Sequence, residues 1–428
     1  MSRPAGPVAA QATGAPPPVV VVHSIHQHAY EAAVGAGEAG LLRLFVTGLY
    51  WSGAGATDPR RWRLPAGLVG RLERELGRRR HPALDPARVR TIARYHLPAT
   101  LARRATGRLP GVRALDLDRW ATRRFDRAAA RLLGRLDGVA VVHAFEGGSS
   151  QTLQAARQAG LRTVLDVPSA HERFVEVEAA EGGRPAASRT EVAVERELAD
   201  LLLAPSGFVA DCLEEAGVPA GRVLRLPYGV DPEVFRPAPV AAREGPFRAL
   251  FVGQIGDRKG VRYLLEAWRR LRLRDAELLL VGPPDRAGRL LLARYQGAYR
   301  WAGALPASEL RRWYRRSDVF VFPSLAEGSA RVTYEAMASG LPLVVTPSSG
   351  SVVRHGLDGF VVPARDVDAI CERVRQLHAD PEARRAMGAS GRALIESRYT
   401  WRHYHRRLAA AYRALLAGRP AEAAVPGP

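Results

Sequence analysis

Two glutamates, Glu327 and Glu335, lie eight positions apart where a predicted buried strand gives way to a predicted helix. The residues between them are Gly328, Ser329, Ala330, Arg331, Val332, Thr333 and Tyr334. The first three are small and are expected to leave backbone amides open at the helix start, where the dipole and unpaired donors attract phosphate. Carboxylates accept hydrogen bonds from hydroxyl groups. The pattern therefore predicts a site for a phosphorylated, hydroxyl-bearing ligand; a capping Glu327 and a surface Glu335 are the structural alternative.

A glycine-rich loop follows the predicted strand Phe247 to Val252 and precedes a predicted helix. Gly253 and Gly260 allow close backbone approach there, and Arg258 and Lys259 supply positive charge. Lys259 is the only lysine among 63 basic residues. Because lysine binds phosphate as a compact point charge, we expect it to contact a diphosphate. Chance retention on a surface helix is the alternative.

The elements around these motifs alternate between strand and helix in both halves of the chain, which is typical of doubly wound parallel sheets. A length of 428 residues exceeds what one hydrophobic core usually serves. We expect an α/β protein with two Rossmann-like domains facing a central cleft, with ligands at the carboxyl ends of the strands. The expected parts are a flexible tail (1–17), an N-terminal domain (18–235), a C-terminal domain (236–395) and a helix that packs back on the N-terminal domain (396–418).

The charge of the chain is uneven. The net charge is +20, and residues 60–135 hold 21 arginines against six acidic residues, or +15 of it. This segment predicts a basic face near an anionic membrane or an anionic acceptor; solvated helix faces are the alternative. No helix-turn-helix, RNP or zinc pattern supports a nucleic-acid partner.

Hydrophobic residues make up 47% of the chain, which argues against a disordered protein. The apolar runs are of strand length, so we expect no membrane span. The two cysteines, Cys212 and Cys371, lack metal-ligand spacing and suit a reducing cytoplasm. We expect a cytoplasmic protein, with a peripheral position at the inner face of the plasma membrane as the further expectation.

The second half resembles the donor domain of the retaining GT-B glycosyltransferases of family 4, the glycosyl transferases group 1. The resemblance covers roughly residues 200–400 and rests on several motifs in the order of that family. They are the loop with Lys259-Gly260, the Leu-Leu-Leu-Val strand before Gly282, the loop 301–306, the two glutamates with Ala336-Met337-Ala338, and Asp358-Gly359-Phe360.

The resemblance implies a role for each matching residue. Lys259 would contact the donor diphosphate, Glu335 the donor ribose and Glu327 the transferred sugar. The amides around Ser329 to Val332 would meet the phosphate, and the Gly303 loop would meet the base. The product would keep the anomeric configuration of the donor. No metal and no cofactor would be needed beyond the nucleotide sugar as co-substrate.

The chain departs from the family pattern at three places. Gln254 stands where the family usually has arginine, so one phosphate cation is missing or is supplied by Arg258. The loop of residues 346–351 is shorter than the usual form. A histidine-containing segment, residues 23–30, replaces the glycine-rich loop that commonly follows the first strand.

The N-terminal half should bind the acceptor. His171 follows a predicted strand, as a family histidine does, and the resemblance implies that it donates a hydrogen bond to the sugar. A solvent-facing or capping histidine is the alternative. His143 is predicted to end a strand of residues 139–143 and to precede a loop that faces the cleft. His26 and His28 are expected to have structural or acceptor-loop roles, without a metal.

We therefore expect a bacterial glycosyltransferase of polysaccharide biosynthesis that moves a sugar to an acceptor hydroxyl, with a lipid-linked or cell-surface glycan as the acceptor class. A non-catalytic subunit that binds sugar nucleotides or glycans is one alternative. A GT-B nucleotide-sugar epimerase is the other.

Overall fold

The computed structural model describes residues 18–24, 28–51, 80–96, 114–170, 189–238 and 245–425. Within these ranges the chain forms two parallel β-sheets, one of seven strands and one of six, with helices packed on them. The expected α/β fold with two doubly wound, Rossmann-like domains is confirmed. The expected tail, residues 1–17, lies outside the described residues.

The N-terminal sheet has the strand order β3-β2-β1-β4-β5-β6-β7. Its strands are β1 (Val19–His23), β2 (Leu42–Thr47), β3 (Val89–Thr91), β4 (Val141–Phe145), β5 (Arg162–Asp166), β6 (Leu201–Ala204) and β7 (Val223–Arg225). Its helices are α1 (His28–Glu38), α2 (Ala114–Leu133), α3 (Ser150–Gln158), α4 (Arg189–Leu198) and α5 (Gly207–Glu215). The order reverses between β1 and β4, and such a reversal opens a crevice at the carboxyl ends of the strands.

The C-terminal sheet has the strand order β10-β9-β8-β11-β12-β13. Its strands are β8 (Phe247–Val252), β9 (Ala276–Val281), β10 (Arg300–Trp301), β11 (Val319–Phe322), β12 (Leu343–Val345) and β13 (Gly359–Val361). Its helices are α6 (Val261–Leu271), α7 (Arg286–Arg294), α8 (Ala307–Arg316), α9 (Arg331–Ala338), α10 (Val367–Ala379) and α11 (Pro381–Arg398). Two further helices follow, α12 (Trp401–Leu416) and α13 (Ala421–Ala424).

The central strands are mostly apolar because helices cover both faces of a parallel sheet. Each residue of β11 is buried, as are the four valines at the start of β1. In α6 the buried positions include Val261, Leu264 and Leu265, at the spacing of one helical face. Burying each such side chain contributes about 1.5–3 kcal/mol. These cores hold the carboxyl ends of the strands in fixed positions.

The predicted position of β4 is wrong by two residues. The strand runs from Val141 to Phe145, because its pairing with β5 continues until Phe145 lies opposite Asp166. His143 is therefore in the middle of the strand and is fully buried, and it does not precede a loop that faces the cleft. The apolar run begins at Val139, two residues before the strand, so the sequence alone did not mark where the strand begins.

The chain crosses between the two sheets at two places, which pack against each other. Val230 donates its amide to the carbonyl of Tyr399 over 3.0 Å and forms a β-bridge with Thr400. A side chain at Gly229 would lie 2.3 Å from the amide nitrogen of Trp401, so only glycine fits there. We call residues 228–230 and 399–401 the domain junction.

Helix α12 packs on α1 of the N-terminal domain. The ring of His405 lies between two carboxylates of α1, with Nδ1 2.8 Å from Glu38 and Nε2 3.1 Å from Glu31. Burial alone would lower the pKa of His405, but its hydrogen bonds with both glutamates raise it. The terminal helix is therefore attached by charge as well as by apolar contact.

Candidate functional site

Lys259 and Glu327 are bonded to each other across two loops of the C-terminal domain. The Glu327 oxygen that accepts the hydrogen bond of the Lys259 ammonium also lies 2.7 Å from Nη1 of Arg258. Burial lowers the pKa of Lys259, and the charge of Glu327 opposes that effect. The sequence-predicted cations and the first glutamate thus form one site, and Glu327 is an ion-paired residue instead of a helix cap.

The loop after β8 reaches Glu327 because of Gly260. This residue has a left-handed backbone with φ of 68°, and a side chain on it would lie 1.8 Å from the carbonyl oxygen of Pro323. Only glycine tolerates both conditions. The loop therefore packs on the end of β11, and Nζ of Lys259 lies 5.4 Å from the ring centroid of Phe322.

Helix α9 begins at Arg331, and no side chain caps its N-terminus. The first-turn amides and the helix dipole make this end attractive to an anion. The expectation that the amide of Ala330 is open is wrong, because it donates to the carbonyl of Ser349 over 3.0 Å. The amide of Glu327 likewise donates to Ser348. Both carbonyls belong to the short turn in residues 346–351, to which the sequence analysis gave no role.

Glu335 lies in the second turn of α9 and is half-buried. Its Oε2 accepts a hydrogen bond of 3.0 Å from the hydroxyl of Tyr314, a fully buried residue of α8. Burial raises the pKa of Glu335, while the charge of Arg331 and the Tyr314 hydrogen bond oppose the rise. The second carboxylate is thus fixed in position by a phenol.

The other predicted residues in and just before α9 have different surroundings. Ser329 turns its hydroxyl inward, 3.0 Å from that of Tyr334 and 3.1 Å from the carbonyl of Gly350. Only its backbone can therefore face a ligand in this conformation. Arg331 is exposed, and its guanidinium lies 5.8 Å from the ring centroid of Trp401 at the domain junction. Val332 is half-buried.

The remaining predicted donor residues lie at the carboxyl ends of β8 and β9. Gly253 follows β8 directly, and Gln254 is exposed in the turn after it. Gly303 accepts the amide hydrogen of Gly282 over 2.7 Å, which attaches its loop to the end of β9. Arg258, the residue expected to supply a phosphate cation in place of Gln254, is bonded to the Glu327 carboxylate.

The loop that carries Glu327 touches the N-terminal domain at Gly328. A side chain there would lie 1.6 Å from the carbonyl oxygen of Pro168, in the turn after β5. The hydroxyl of Ser206 donates to the Gly328 carbonyl over 2.5 Å. The carboxyl end of β5 therefore meets the loop that carries Glu327.

Of the four histidines that the sequence indicated, two are in the described residues, and both lie near Asp166. His171 and His26 lie outside the described residues. His28 begins α1, is buried, and has Nε2 3.5 Å from Oδ1 of Asp166. His143 has Nδ1 2.7 Å from the hydroxyl of Tyr412. Burial lowers the pKa of His143 to about 4, although the charge of Asp166 opposes this.

Asp166 was missed by the sequence analysis. It ends β5, only 2% of its surface is exposed, and it lies near both His28 and His143. The pattern that could have identified it is an aspartate at the end of an apolar strand, which places a charge at the sheet edge where ligands bind.

The family described as "Glycosyl transferases group 1" matches residues 246–380, which contain the C-terminal sheet and the Lys259–Glu327 site. The MMP alpha-(1->4)-mannosyltransferase of Mycolicibacterium hassiacum is 31% identical over 316 residues, which span 68% of this chain and 74% of that protein. The putative colanic acid biosynthesis glycosyltransferase WcaL of Escherichia coli is 30% identical over 236 residues. That alignment spans 50% of this chain and 57% of WcaL.

The fold is similar to that of a solved enzyme. Sucrose-phosphate synthase from Thermosynechococcus elongatus superposes with a TM-score of 0.66 at 18% identity. The superposition covers 94% of this chain and 100% of that protein. The expected GT-B architecture is confirmed by this similarity in fold.

Proposed function

The chain belongs to the group 1 glycosyl transferases, and from that premise we propose that it moves a sugar from a nucleotide-sugar donor to an acceptor hydroxyl, with retention and without a metal or cofactor. One observation carries the proposal. Arg258, Lys259 and Glu327 lie together beside the uncapped end of α9. Cations and a helix terminus suit a diphosphate, and a carboxylate suits sugar hydroxyls.

The donor would change the partners of Glu327. In the described structure this carboxylate forms ion pairs with both Arg258 and Lys259. A diphosphate at the start of α9 competes for the two cations, because phosphate oxygens form strong charge-assisted hydrogen bonds with them. Glu327 is then released to accept hydrogen bonds from the hydroxyls of the sugar.

The same residues would assist departure of the nucleoside diphosphate. Negative charge grows on the leaving phosphate as the bond to the sugar breaks, and fixed positive groups stabilise that charge. Lys259 and the α9 terminus supply such groups without a metal ion. Glu335, oriented by Tyr314, is available to the ribose hydroxyls.

The acceptor would approach from the N-terminal domain, since the turn after β5 touches Gly328. We propose that His171, five residues beyond Asp166, donates a hydrogen bond to the sugar. His171→Ala should lower kcat more than donor affinity, measured by steady-state rates beside donor titration. Equal losses in kcat and in donor affinity would contradict this role.

A lipid-linked or cell-surface glycan is the proposed acceptor class, supported by the name of WcaL, a putative enzyme of colanic acid biosynthesis. Among the described residues no helix combines the length and apolar composition that a bilayer crossing requires. Helix α2 instead presents Trp120, 45% exposed, beside exposed Arg124, Arg127 and Arg131. An aromatic residue among arginines suits an anionic membrane surface.

Sedimentation with vesicles tests this membrane contact. The protein should sediment with vesicles that contain anionic phospholipid, and it should not sediment with neutral vesicles. Trp120→Ala with Arg124→Ala should reduce the bound fraction several-fold. Binding that is indifferent to lipid charge would contradict the contact.

Release of nucleoside diphosphate from a panel of sugar nucleotides tests the function itself. We expect one donor to be turned over with and without EDTA, and NMR of the product should show the anomeric configuration of the donor. Donor binding without turnover would favour the non-catalytic alternative. Conversion of the donor to an epimer, with its diphosphate intact, would favour the epimerase.

A further inference from the structure

Asp166 is the centre of a buried polar cluster in the N-terminal domain. Its Oδ1 lies 3.5 Å from Nε2 of His28, and its Oδ2 lies 3.9 Å from Nε2 of His143. The ring centroid of Tyr228 is 5.3 Å from that of His28 and 6.4 Å from that of Tyr404. The cluster therefore joins β4, β5 and α1 with the domain junction at Tyr228 and with helix α12 at Tyr404.

Four polar atoms of this cluster are buried without a hydrogen-bond partner in the part of the chain that the structure describes. They are Oδ1 of Asp166, Nε2 of His143 and the hydroxyls of Tyr228 and Tyr404. Leaving such atoms unsatisfied is unfavourable, and native proteins rarely do so. The group is thus equipped for hydrogen bonds that the described conformation does not make.

The two tyrosines belong to the elements that connect the domains. Tyr228 immediately precedes Gly229, and Tyr404 lies one turn into α12, after Trp401. Burial raises the pKa of both phenols, and the negative charge of Asp166 raises them further. Both hydroxyls are consequently protonated at neutral pH and can donate to a carboxylate.

Asp166 is also connected to the donor side. Its backbone carbonyl accepts the amide hydrogen of Glu146 over 2.9 Å, and the next residue, Val167, donates to Leu203. Pro168 then packs on Gly328, next to Glu327. Asp166 is therefore only two residues away from the contact between the domains.

We propose that Asp166 is a positioning residue for sugar transfer, whose carboxylate accepts a hydrogen bond from Tyr228 or Tyr404 when both substrates are bound. That hydrogen bond fixes the turn after β5 against the loop that carries Glu327. It thereby holds the two domains in a fixed relative position. The inference rests on the proposed function. Asp166 acts through the turn and does not touch the reacting atoms.

Removal of single hydroxyl groups tests the proposal. Tyr228→Phe and Tyr404→Phe each remove one oxygen and keep the packing, and Asp166→Asn removes the charge. We expect kcat to fall about tenfold in the more affected tyrosine variant and in Asp166→Asn, since hydrogen bonds to charged groups are the stronger ones. The donor dissociation constant should stay within about twofold of the wild-type value. A residue with a merely structural role would not lower kcat while leaving donor affinity unchanged.

Tyr412→Phe is the matched control, because its hydroxyl is bonded to His143 and it is equally buried. It should lower the unfolding midpoint but leave kcat unchanged. Unchanged kcat in both Tyr228→Phe and Tyr404→Phe, or an equal loss in Tyr412→Phe, would overturn the inference alone. A wild-type chain that releases no nucleoside diphosphate from any donor would overturn the proposed function and this inference with it.

Discussion

The only lysine of the chain, Lys259, is bonded to Glu327, a residue 68 positions away on a different loop. The two residues meet because Gly260 packs on Pro323. Their contact brings a cation and a carboxylate to the start of α9, where no side chain caps the helix. In our account the pair is the resting form of a donor site, and the diphosphate replaces the carboxylate.

Lys259→Ala should weaken donor binding at least tenfold, because a buried charge-assisted contact to phosphate is lost. Lys259→Arg should recover only part of the affinity, since a guanidinium is bulkier than an ammonium. Isothermal titration with the nucleoside diphosphate measures both. Arg262→Ala is the control, because Arg262 is a neighbouring cation bonded to Asp257 instead of Glu327. Equal affinity in Lys259→Ala and wild type would contradict the assignment.

Glu335→Ala should also weaken donor binding, through loss of hydrogen bonds to the ribose. The effect should be smaller when the ligand is inorganic pyrophosphate, which has no ribose. Tyr314→Phe should have a weaker effect in the same direction, because Tyr314 only orients the carboxylate. If Glu335→Ala weakened the binding of pyrophosphate as much as the binding of the nucleotide, Glu335 would not be the ribose contact.

Gly328→Ala should disturb the contact between the domains, because its methyl group would lie 1.6 Å from the carbonyl oxygen of Pro168. We expect a loss of kcat greater than tenfold, as small displacements of reacting groups are costly. Gly221→Ala serves as the control, since a methyl group there meets no atom within 4 Å. Wild-type turnover in Gly328→Ala would show that the domains need not approach here.

The fold followed from the sequence because apolar runs of strand length alternate with helical patterns in both halves. The sequence also placed Lys259 and Glu327 in one predicted site, and the two residues are bonded to each other. The sequence did not reveal that carbonyls of Ser348 and Ser349 bind the loop amides, because any residue type provides a carbonyl. Nor did it reveal the Asp166 cluster, whose members come from elements far apart in the chain.

His143 should make the stability depend on pH. Burial holds its pKa near 4, against 6.5 in the unfolded chain, so the unfolded state binds a proton that the folded state does not. The folded protein should therefore lose roughly 3 kcal/mol of its free energy of unfolding as the pH falls from 6.5 to 4. Urea unfolding of wild type and His143→Gln measures this, and the variant should lack that part of the slope.

His405 supplies a control of opposite sign. Its pKa is raised in the folded state, so its contribution is complete below pH 6.5 and is lost as the pH rises through the folded pKa. His405→Gln should accordingly cost more stability at pH 5 than at pH 8. Parallel pH profiles for wild type and His143→Gln would contradict the proposed burial of a neutral His143.

A crystal structure of the chain with its preferred nucleoside diphosphate tests the donor site most directly. We predict that the diphosphate lies at the start of α9, with Nζ of Lys259 about 3 Å from a phosphate oxygen. The bond between Lys259 and Glu327 should then be broken, and the ribose should lie beside Glu335. A nucleotide bound elsewhere, with the Lys259–Glu327 pair intact, would contradict the account.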